Sequence, residues 1–283
     1  MKRIGIIGAG TMGSGIARVA AQFGMEVLLQ DVSRSALKNA QNRISSDLQK
    51  AYEKGIIPKS GIKKILDRIK TTTVLKSIRS SELIIEAIIE DLNAKQELFL
   101  KLDTLCSLRT ILATNTSSLS VTAIGSGMIN PQRLIGLHFF NPVPYMKLVE
   151  VIPSPRTSEG TTTSALRFIQ QLHKEAIVAK DTPGFIVNRI ARPFYGEALR
   201  LLGEGVASVE EIDRIVKLEG NFKMGPFELM DTIGIDVNLA VTKSMYEQSF
   251  HEPRYRPHLI QQQKVNAGTL GKKTKEGFYS YAK

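Results

Sequence analysis

Arg3-Ile-Gly-Ile-Ile-Gly8-Ala9-Gly10-Thr11-Met12-Gly13 opens the chain and decides the reading of its first half. An apolar run of strand type passes straight into a glycine triplet. A helical pattern then places Ile16, Val19, Ala20 and Phe23 on one face, and a second strand, Glu26 to Gln30, ends at Asp31. Each glycine has a separate task in such a unit. Gly8 permits the tight turn, Gly10 lets the backbone approach a pyrophosphate, and Gly13 lets the helix pack on the sheet. The helix start adds unsatisfied N–H groups and the positive end of its dipole, which suit phosphate. A glycine triplet alone is weak evidence, but here strand, helix, strand and terminal acid follow in the expected order.

The alternation continues beyond Asp31. Leu83-Ile-Ile-Glu-Ala-Ile-Ile runs into Glu90, and Thr110-Ile-Leu-Ala-Thr runs into Asn115, Thr116, Ser117 and Ser118. Ligands of open parallel sheets lie off the carboxyl ends of the strands, which makes Glu90, Asn115 and Ser117 candidate contacts. Ser118, and by the same argument Ser117, can instead cap the short helix expected next. A helical hairpin, turning at Gly55-Ile-Ile-Pro58, is inserted where a short crossover would suffice. From Phe185 onward strand alternation stops. Phe185, Ile186, Ile190, Phe194, Ala198 and Leu201 form one apolar stripe interrupted by Pro193, and further helices are expected over Glu210–Leu218 and Phe227–Tyr246. The expectation is a Rossmann-type α/β domain with a helical-hairpin insertion over residues 1–183 and an all-α domain over 184–283, with a substrate cleft where they meet. The stripe is broader than one small helical domain needs, so part of it is expected to face a second copy of the chain.

Gly136-Leu-His-Phe-Phe-Asn-Pro-Val-Pro-Tyr-Met-Lys-Leu-Val-Glu150 reads as two strands around a proline-punctuated turn. Leu148, Glu150 and Ile152 share a face by the two-residue period, so a carboxylate stands among aliphatic side chains. A hairpin closed around residues 141–146 brings His138 to the same level. An imidazole held by a carboxylate at the rim of a sheet is a common form of general base. A purely structural His–Glu pair is equally compatible with this segment.

Composition limits the alternatives. At 283 residues and 42% hydrophobic, the chain suits two domains of unequal size. One cysteine, Cys106, excludes a disulfide framework and fits a reducing compartment. The apolar runs are far shorter than the roughly 20 residues that span a bilayer. A strand beginning at once leaves no room for a targeting peptide, so a cytoplasmic protein is expected. The histidines His138, His173, His251 and His258 show no ligand spacing, and no metal is expected. The net charge is +11, and residues 34–79 hold twelve Lys or Arg against three acids, or +9 of it. Such a field suits an anionic partner. With Tyr52 as its only aromatic, and with no nucleic-acid signature, the segment points away from nucleic acid and towards a polyphosphate ligand or a solvated face.

Several motifs in series resemble those of one family. Gly8-x-Gly-x-x-Gly13, Glu86-Ala-Ile-Ile-Glu90, Thr114-Asn-Thr-Ser-Ser118, Gly136-Leu-His-Phe-Phe-Asn-Pro142, Lys147-Leu-Val-Glu-Val151, Asp181-Thr-Pro-Gly-Phe-Ile-Val-Asn-Arg189, Met224-Gly-Pro-Phe-Glu228 and Gly271-Lys-Lys-Thr274 are similar to the L-3-hydroxyacyl-CoA dehydrogenases. The likeness is to the short monofunctional type that includes 3-hydroxybutyryl-CoA dehydrogenases, and it runs from Ile4 to Tyr281. One departure is Lys275, which stands where the family usually has glycine, so that turn is expected to close differently.

The resemblance implies an NAD-dependent interconversion of short-chain L-3-hydroxyacyl-CoA and 3-oxoacyl-CoA by a homodimer joined through its C-terminal domain. It implies His138 as base, Glu150 as its partner, and Ser117 and Asn188 as groups that hold the reacting oxygen and the thioester. Cofactor contacts are implied for residues 8–13 (Gly8, Ala9, Gly10, Thr11, Met12 and Gly13), Asp31, Glu90, Lys95, Ser117, Asn141 and Lys273. Lys50 and Lys54, with Ser117, are implied on the CoA side, which gives the basic segment a chemical purpose. Two other readings keep much of the fold: a crystallin-like relative acting on a free sugar acid, and a non-enzymatic CoA- or dinucleotide-binding protein. The basic arm argues against the first, and the His138, Glu150, Ser117 and Asn188 set argues against the second.

Overall fold

The structure, a computed structural model, describes residues 1–281 and divides the chain into two units, Met1–Thr182 and Pro183–Lys283. The first unit runs β1 (Arg3–Ile7), α1 (Thr11–Gln22), β2 (Glu26–Gln30), α2 (Arg34–Glu53), α3 (Lys59–Asp67), β3 (Ile69–Thr72), β4 (Leu83–Glu86), α4 (Leu92–Leu105), β5 (Ile111–Thr114), α5 (Val121–Ile124), β6 (Leu134–Phe139), β7 (Leu148–Pro153), α6 (Glu159–Gln171) and β8 (Glu175–Val178). Its single sheet has the order β3-β2-β1-β4-β5-β6-β7-β8. The first six strands are parallel; β7 is antiparallel to β6, and β8 is parallel to β7. This is a Rossmann-type sheet, with the chain reversing direction across it at β1 and β4.

The strands are apolar on both faces because helices cover both. Ile4, Ile6, Val27, Leu29, Leu83, Ile85, Leu137, Phe139, Val149 and Val151 form one core with Ile16 and Ala20 of α1, Leu48 of α2 and Phe168 of α6. The strand beside β1 on its other edge, β4, ends earlier than the apolar run suggests. β4 stops at Glu86, and residues 87–90 leave the sheet as a loop. The inserted hairpin consists of α2 and α3. Ser33 caps α2 by accepting from the Ala36 amide at 3.2 Å, and Lys50 stands in the last turn, where the helix dipole favours a cation.

The second unit is helical: α7 (Val187–Gly203), α8 (Val209–Glu219), α9 (Pro226–Ile233), α10 (Ile235–Gln248) and α11 (Leu259–Asn266). Its core joins Tyr195, Leu199, Ile212, Phe227, Met230 and Ile235. Two expectations are corrected here. Phe185 lies outside α7 in a left-handed conformation, φ 51°. The single helix expected over Phe227–Tyr246 is two helices, because Gly234 adopts φ 101°, which breaks the run between α9 and α10. Asp231, at the end of α9, accepts from the Phe278 and Tyr279 amides, each at 2.9 Å, and so anchors the C-terminal segment.

The turn at Lys275 closes as a glycine turn would. Lys275 takes φ 62° and its amide donates to the Lys272 carbonyl at 3.2 Å. An L-residue in that region pays roughly 1–2 kcal/mol, part of which glycine returns through greater unfolded-state freedom. Lys275→Gly is therefore expected to stabilise the protein by up to about 1 kcal/mol, read as a higher urea midpoint at unchanged slope. A lower midpoint would mean that the lysine side chain compensates the strain.

Candidate active site

His138 and Glu150 are directly opposed residues of the β6–β7 ladder. The period of two puts both side chains on the same face, and Nδ1 of His138 lies 2.7 Å from Oε2 of Glu150. The pair is deeply buried, at 6% and 1% exposure. A carboxylate in such a place is costly unless paired, so it holds the imidazole in the tautomer that donates from Nδ1 and leaves Nε2 as the basic nitrogen. The Phe140 ring tilts against the imidazole with centroids 4.3 Å apart. The imidazole is thus held at one edge by Glu150 and packed against Phe140, the form of a preorganised base.

The connection between β6 and β7 is stapled from outside. Lys174, three residues beyond the end of α6, donates from Nζ to the carbonyls of Val143 at 2.7 Å and Met146 at 2.5 Å. Burial, and then the nearby Arg18, push the Lys174 ammonium below the usual lysine range. Sequence reasoning missed this lysine, because nothing local distinguishes it from a surface residue. Asn141 lies exposed in the same turn, and its peptide bond to Pro142 is cis.

A second cluster sits at the carboxyl ends of β4 and β5. Oε1 of Glu90 accepts from the Thr116 hydroxyl, from the Ser117 amide at 2.8 Å, and from the Ser117 hydroxyl at 3.4 Å. Lys95, on α4 and only 1% exposed, reaches Oε1 of Glu86 at 2.5 Å and Oε2 of Glu90 at 3.2 Å. Glu86 is itself fully buried and also accepts from the Thr114 hydroxyl at 2.7 Å and the Ile88 amide at 2.8 Å. Burial opposes ionisation of Glu90, but Lys95 and the bonds from Thr116 and Ser117 outweigh it and hold the carboxyl below its usual range. The structure thus brings Glu90, Lys95 and Ser117 together and adds Glu86, which sequence reasoning left out. The signal was an acid as the last residue of an apolar strand. Asn115 does a further job: its Oδ1 accepts from the Phe139 amide at 2.9 Å, tying this cluster to the end of β6. The cap of α5 is neither Ser117 nor Ser118 but Ser120, reinforced by Asp181, which accepts from the Val121 and Thr122 amides at 2.9 and 2.7 Å.

The glycine loop has the shape its sequence demands. Gly8 has φ 99°, and a Cβ there would stand 2.4 Å from the Ala87 carbonyl oxygen; a Cβ on Gly13 would meet the Gly8 carbonyl at 1.8 Å. A Cβ on Gly10 would meet nothing within 4 Å, because that face opens on a cavity of about 800 Å³. Gly10, Thr11 and Met12 line it on one side, Asp31 and Val32 on another, and Ile88 and Ile89 on a third. No side chain caps the start of α1. Asp31 accepts from the Ala9 amide at 2.7 Å and the Ser33 amide at 2.9 Å, one on each oxygen, leaving lone pairs on both for a diol. Arg43 of α2 donates to the Ala9 carbonyl at 2.6 Å, which locks the loop from the far side. The site suits an elongated ligand carrying phosphates and a ribose.

Lys50 and Lys54 are exposed on the hairpin, and the Lys54 ammonium stands 5.9 Å from the centre of the Tyr145 ring. Asn188 and Lys273 belong to the second unit. Asn188, in the first turn of α7, accepts on Oδ1 from Nη2 of Arg192 at 3.4 Å. Lys273 is paired with Asp236 at 2.5 Å.

Comparison with known proteins agrees on one family. The model of the 3-hydroxyacyl-CoA dehydrogenase NAD binding domain matches residues 3–182, and that of the 3-hydroxyacyl-CoA dehydrogenase C-terminal domain matches residues 184–281. A 3-hydroxybutyryl-CoA dehydrogenase of Clostridioides difficile is 43% identical over 281 residues, covering 99% of this chain and 100% of that protein. The human mitochondrial hydroxyacyl-coenzyme A dehydrogenase is 42% identical, covering 99% of this chain and 91% of its own length. A solved (S)-3-hydroxybutyryl-CoA dehydrogenase from Ralstonia eutropha superposes with a TM-score of 0.94 at 40% identity, covering 100% of both chains.

The Glu86–Lys95–Glu90 cluster yields a stability prediction. Lys95→Met leaves the buried Glu86 carboxylate, and the partly open Glu90 beside it, without their cation, a loss of about 3–5 kcal/mol for a broken buried pair, measured by urea unfolding at neutral pH. Because Glu90 ionises more readily folded than unfolded, its contribution is full above the ordinary carboxylate range and fades as pH falls through the lowered value. The gap between wild type and variant should therefore narrow in acid. A loss below about 1 kcal/mol at neutral pH, the worth of an exposed pair, would remove the bracing role.

Proposed function

The chain belongs to the 3-hydroxyacyl-CoA dehydrogenase family, and we propose how its residues divide the work of that reaction on short-chain thioesters. It is an NAD-dependent enzyme that interconverts 3-hydroxyacyl-CoA and 3-oxoacyl-CoA. The observation that carries the catalytic assignment is the buried 2.7 Å contact between His138 and Glu150.

His138 takes the proton of the substrate's 3-hydroxyl at Nε2, and Glu150 stabilises the imidazolium that forms, through the Nδ1 bond it already makes. NAD, when bound, accepts the hydride from C3. Ser117 and Asn188 hold the reacting oxygen and the thioester carbonyl. The glycine loop and the uncapped start of α1 fit the cofactor's pyrophosphate, and the two Asp31 oxygens fit the adenosine ribose hydroxyls. A carboxylate there also disfavours a 2′-phosphate. Glu90 faces the nicotinamide ribose; Lys95 serves it by fixing the Glu90 carboxylate. Asn141 and Lys273 complete the cofactor's surroundings. Lys50 and Lys54 receive the 3′-phospho-ADP of CoA, which accounts for the charge of the hairpin. Exposed Ile190, Ile215, Leu218 and Phe222 in the second unit support a homodimer. Among the described residues no helix is long and apolar enough to cross a membrane. The single cysteine, Cys106, which is buried, fits a reducing compartment and supports a cytoplasmic location.

Two measurements test the reading by following NADH absorbance with acetoacetyl-CoA. His138→Ala should lower kcat by roughly 10²–10⁴-fold, the usual worth of a positioned base, while NADH binding persists. Glu150→Gln should also fall chiefly in kcat, since the imidazolium loses its counter-charge. Near-normal turnover in either variant would move the base elsewhere.

The arm is tested through KM. Lys54→Glu should raise KM for acetoacetyl-CoA with kcat nearly unchanged, because nucleotide binding is shared by ground and transition states. The defect should vanish with the N-acetylcysteamine thioester, which lacks the nucleotide. An unchanged KM for acetoacetyl-CoA would reduce the hairpin to a solvated face.

A further inference from the structure

Val143 joins the turn between β6 and β7 to the helix that follows the glycine loop. Its side chain is 2% exposed and belongs to the core of the first unit. A Cβ on Gly15 of α1 would stand 3.0 Å from Cγ2 of Val143 and 3.1 Å from its Cβ, so the valine packs directly on bare helix backbone. The start of α1 is where a cofactor's pyrophosphate fits, and Phe140, where β6 enters the turn, packs on the His138 imidazole. The turn therefore connects the base to the cofactor helix, and its position sets the spacing between them.

Within the turn, the Pro142 carbonyl accepts from the Tyr145 and Met146 amides at 3.0 and 3.1 Å. The carbonyls of Val143 and Met146 go instead to Nζ of the half-buried Lys174, at 2.7 and 2.5 Å. The backbone that carries this lysine is itself fixed. Its amide donates to the Ile169 carbonyl of α6 at 3.3 Å, and the next amide, of Glu175, donates to the Lys147 carbonyl at 2.9 Å, where β8 joins β7. One ammonium thus grips both ends of the turn from a point set by α6 and β8. Ion pairing does not explain its place, since among the described residues Lys174 makes no ion pair. The charge that acts on it is that of Arg18 on α1, a guanidinium 2% exposed whose Nε and Nη1 have no partner. Burial and this second cation both disfavour the ammonium, so the two charge-assisted bonds to the turn are what offset its cost.

We propose that Lys174 is a positioning residue for hydride transfer: by holding the Val143 and Met146 carbonyls it seats Val143 on Gly15 and fixes the His138 base relative to the cofactor helix. The inference rests on the reading of His138 as the base and of α1 as the cofactor's seat. Lys174 acts through the turn, so its loss should spare binding and slow the chemical step.

The test is the single-turnover rate of NADH oxidation by acetoacetyl-CoA on the intact enzyme, which isolates the chemical step from binding and product release. Lys174→Met keeps the length of the stem and removes the donors. It should slow hydride transfer by roughly 10–100-fold, the scale of a misplacement of about 1 Å made away from the chemistry, while NADH affinity, read by fluorescence titration, stays near that of wild type. Lys174→Arg, which still donates, should recover part of the rate. A staple with a structural role only would lower the urea midpoint and leave the single-turnover rate of the folded variant unchanged, and that result would overturn the proposal. Should Lys174→Met fail to fold, Gly15→Ala disturbs the same contact from the helix side. Its methyl drives Val143 back by a few tenths of an ångström, and alanine favours the helix. It too should slow hydride transfer with NADH affinity kept, and an unchanged rate there would be equally fatal. His138→Ala is measured alongside. A wild-type rate in His138→Ala would overturn the assignment of the base and the proposal with it, whereas a slow His138→Ala beside a fully active Lys174→Met would overturn the positioning role alone.

Discussion

A carboxylate buried inside a sheet needs a hydrogen-bond donor beside it, and Glu150 has one in the His138 imidazole. The register of the β6–β7 hairpin follows from it. A slip of one residue would turn His138 to the opposite face and leave Glu150 without its partner, so the pairing specifies the register as firmly as the apolar side chains around it do. The turn between these strands is accordingly held at its carbonyls by Lys174. The same contact that makes the hairpin unique also sets the tautomer of His138. Register and imidazole orientation therefore draw on one interaction, which a strand pair fixes more firmly than a loop would.

The strand ends repeat the principle with a different cation. Glu86, Lys95 and Glu90 form a line from the buried sheet outward: the first carboxylate is fully enclosed, the last partly open. Lys95 cannot satisfy Glu86 without also approaching Glu90, so the outer carboxylate is ionised and oriented before any ligand arrives. Asn115 then fixes the distance from this line to β6 through the Phe139 amide. Preorganisation of that kind costs the ligand little on binding, because the polar groups it meets have already been ordered by folding.

Much of this was legible in the sequence where a rule of local geometry was broken. The glycine triplet stood out because only glycine tolerates those backbone approaches, and Gly8 and Gly13 meet carbonyls at distances no side chain allows. Glu150 stood out as an acid in an aliphatic strand. Glu86 carried the same signal and was passed over, since its partner lies nine residues on and on a helix face that periodicity alone does not aim. Arg18 and Arg192 were harder. Each sits within an amphipathic helix where a long cationic side chain ordinarily reaches water, so the sequence gives no sign that the guanidinium is enclosed. The break at Gly234 was missed for the opposite reason: a single glycine in a helical pattern is usually tolerated, and here a left-handed angle turns it into a boundary.

Two kinds of cation emerge, and their surroundings give them different reach. The lysines of the hairpin are exposed, so their field reaches outward and is screened over about 8–10 Å at ordinary ionic strength. They favour polyanions in general and do not read the shape of what they attract. Arg192 is withdrawn from solvent and salt, exerts no useful field at a distance, and is held rigidly by Asn238, Thr242 and Tyr195. A cation of this second kind contributes little to capture. Its energy depends on whether the group placed beside it is charged or apolar, and an apolar group leaves the penalty of its burial uncompensated. Exposed lysines and a buried arginine can therefore vary independently in one chain, the first through surface charge and the second only together with the packing around it.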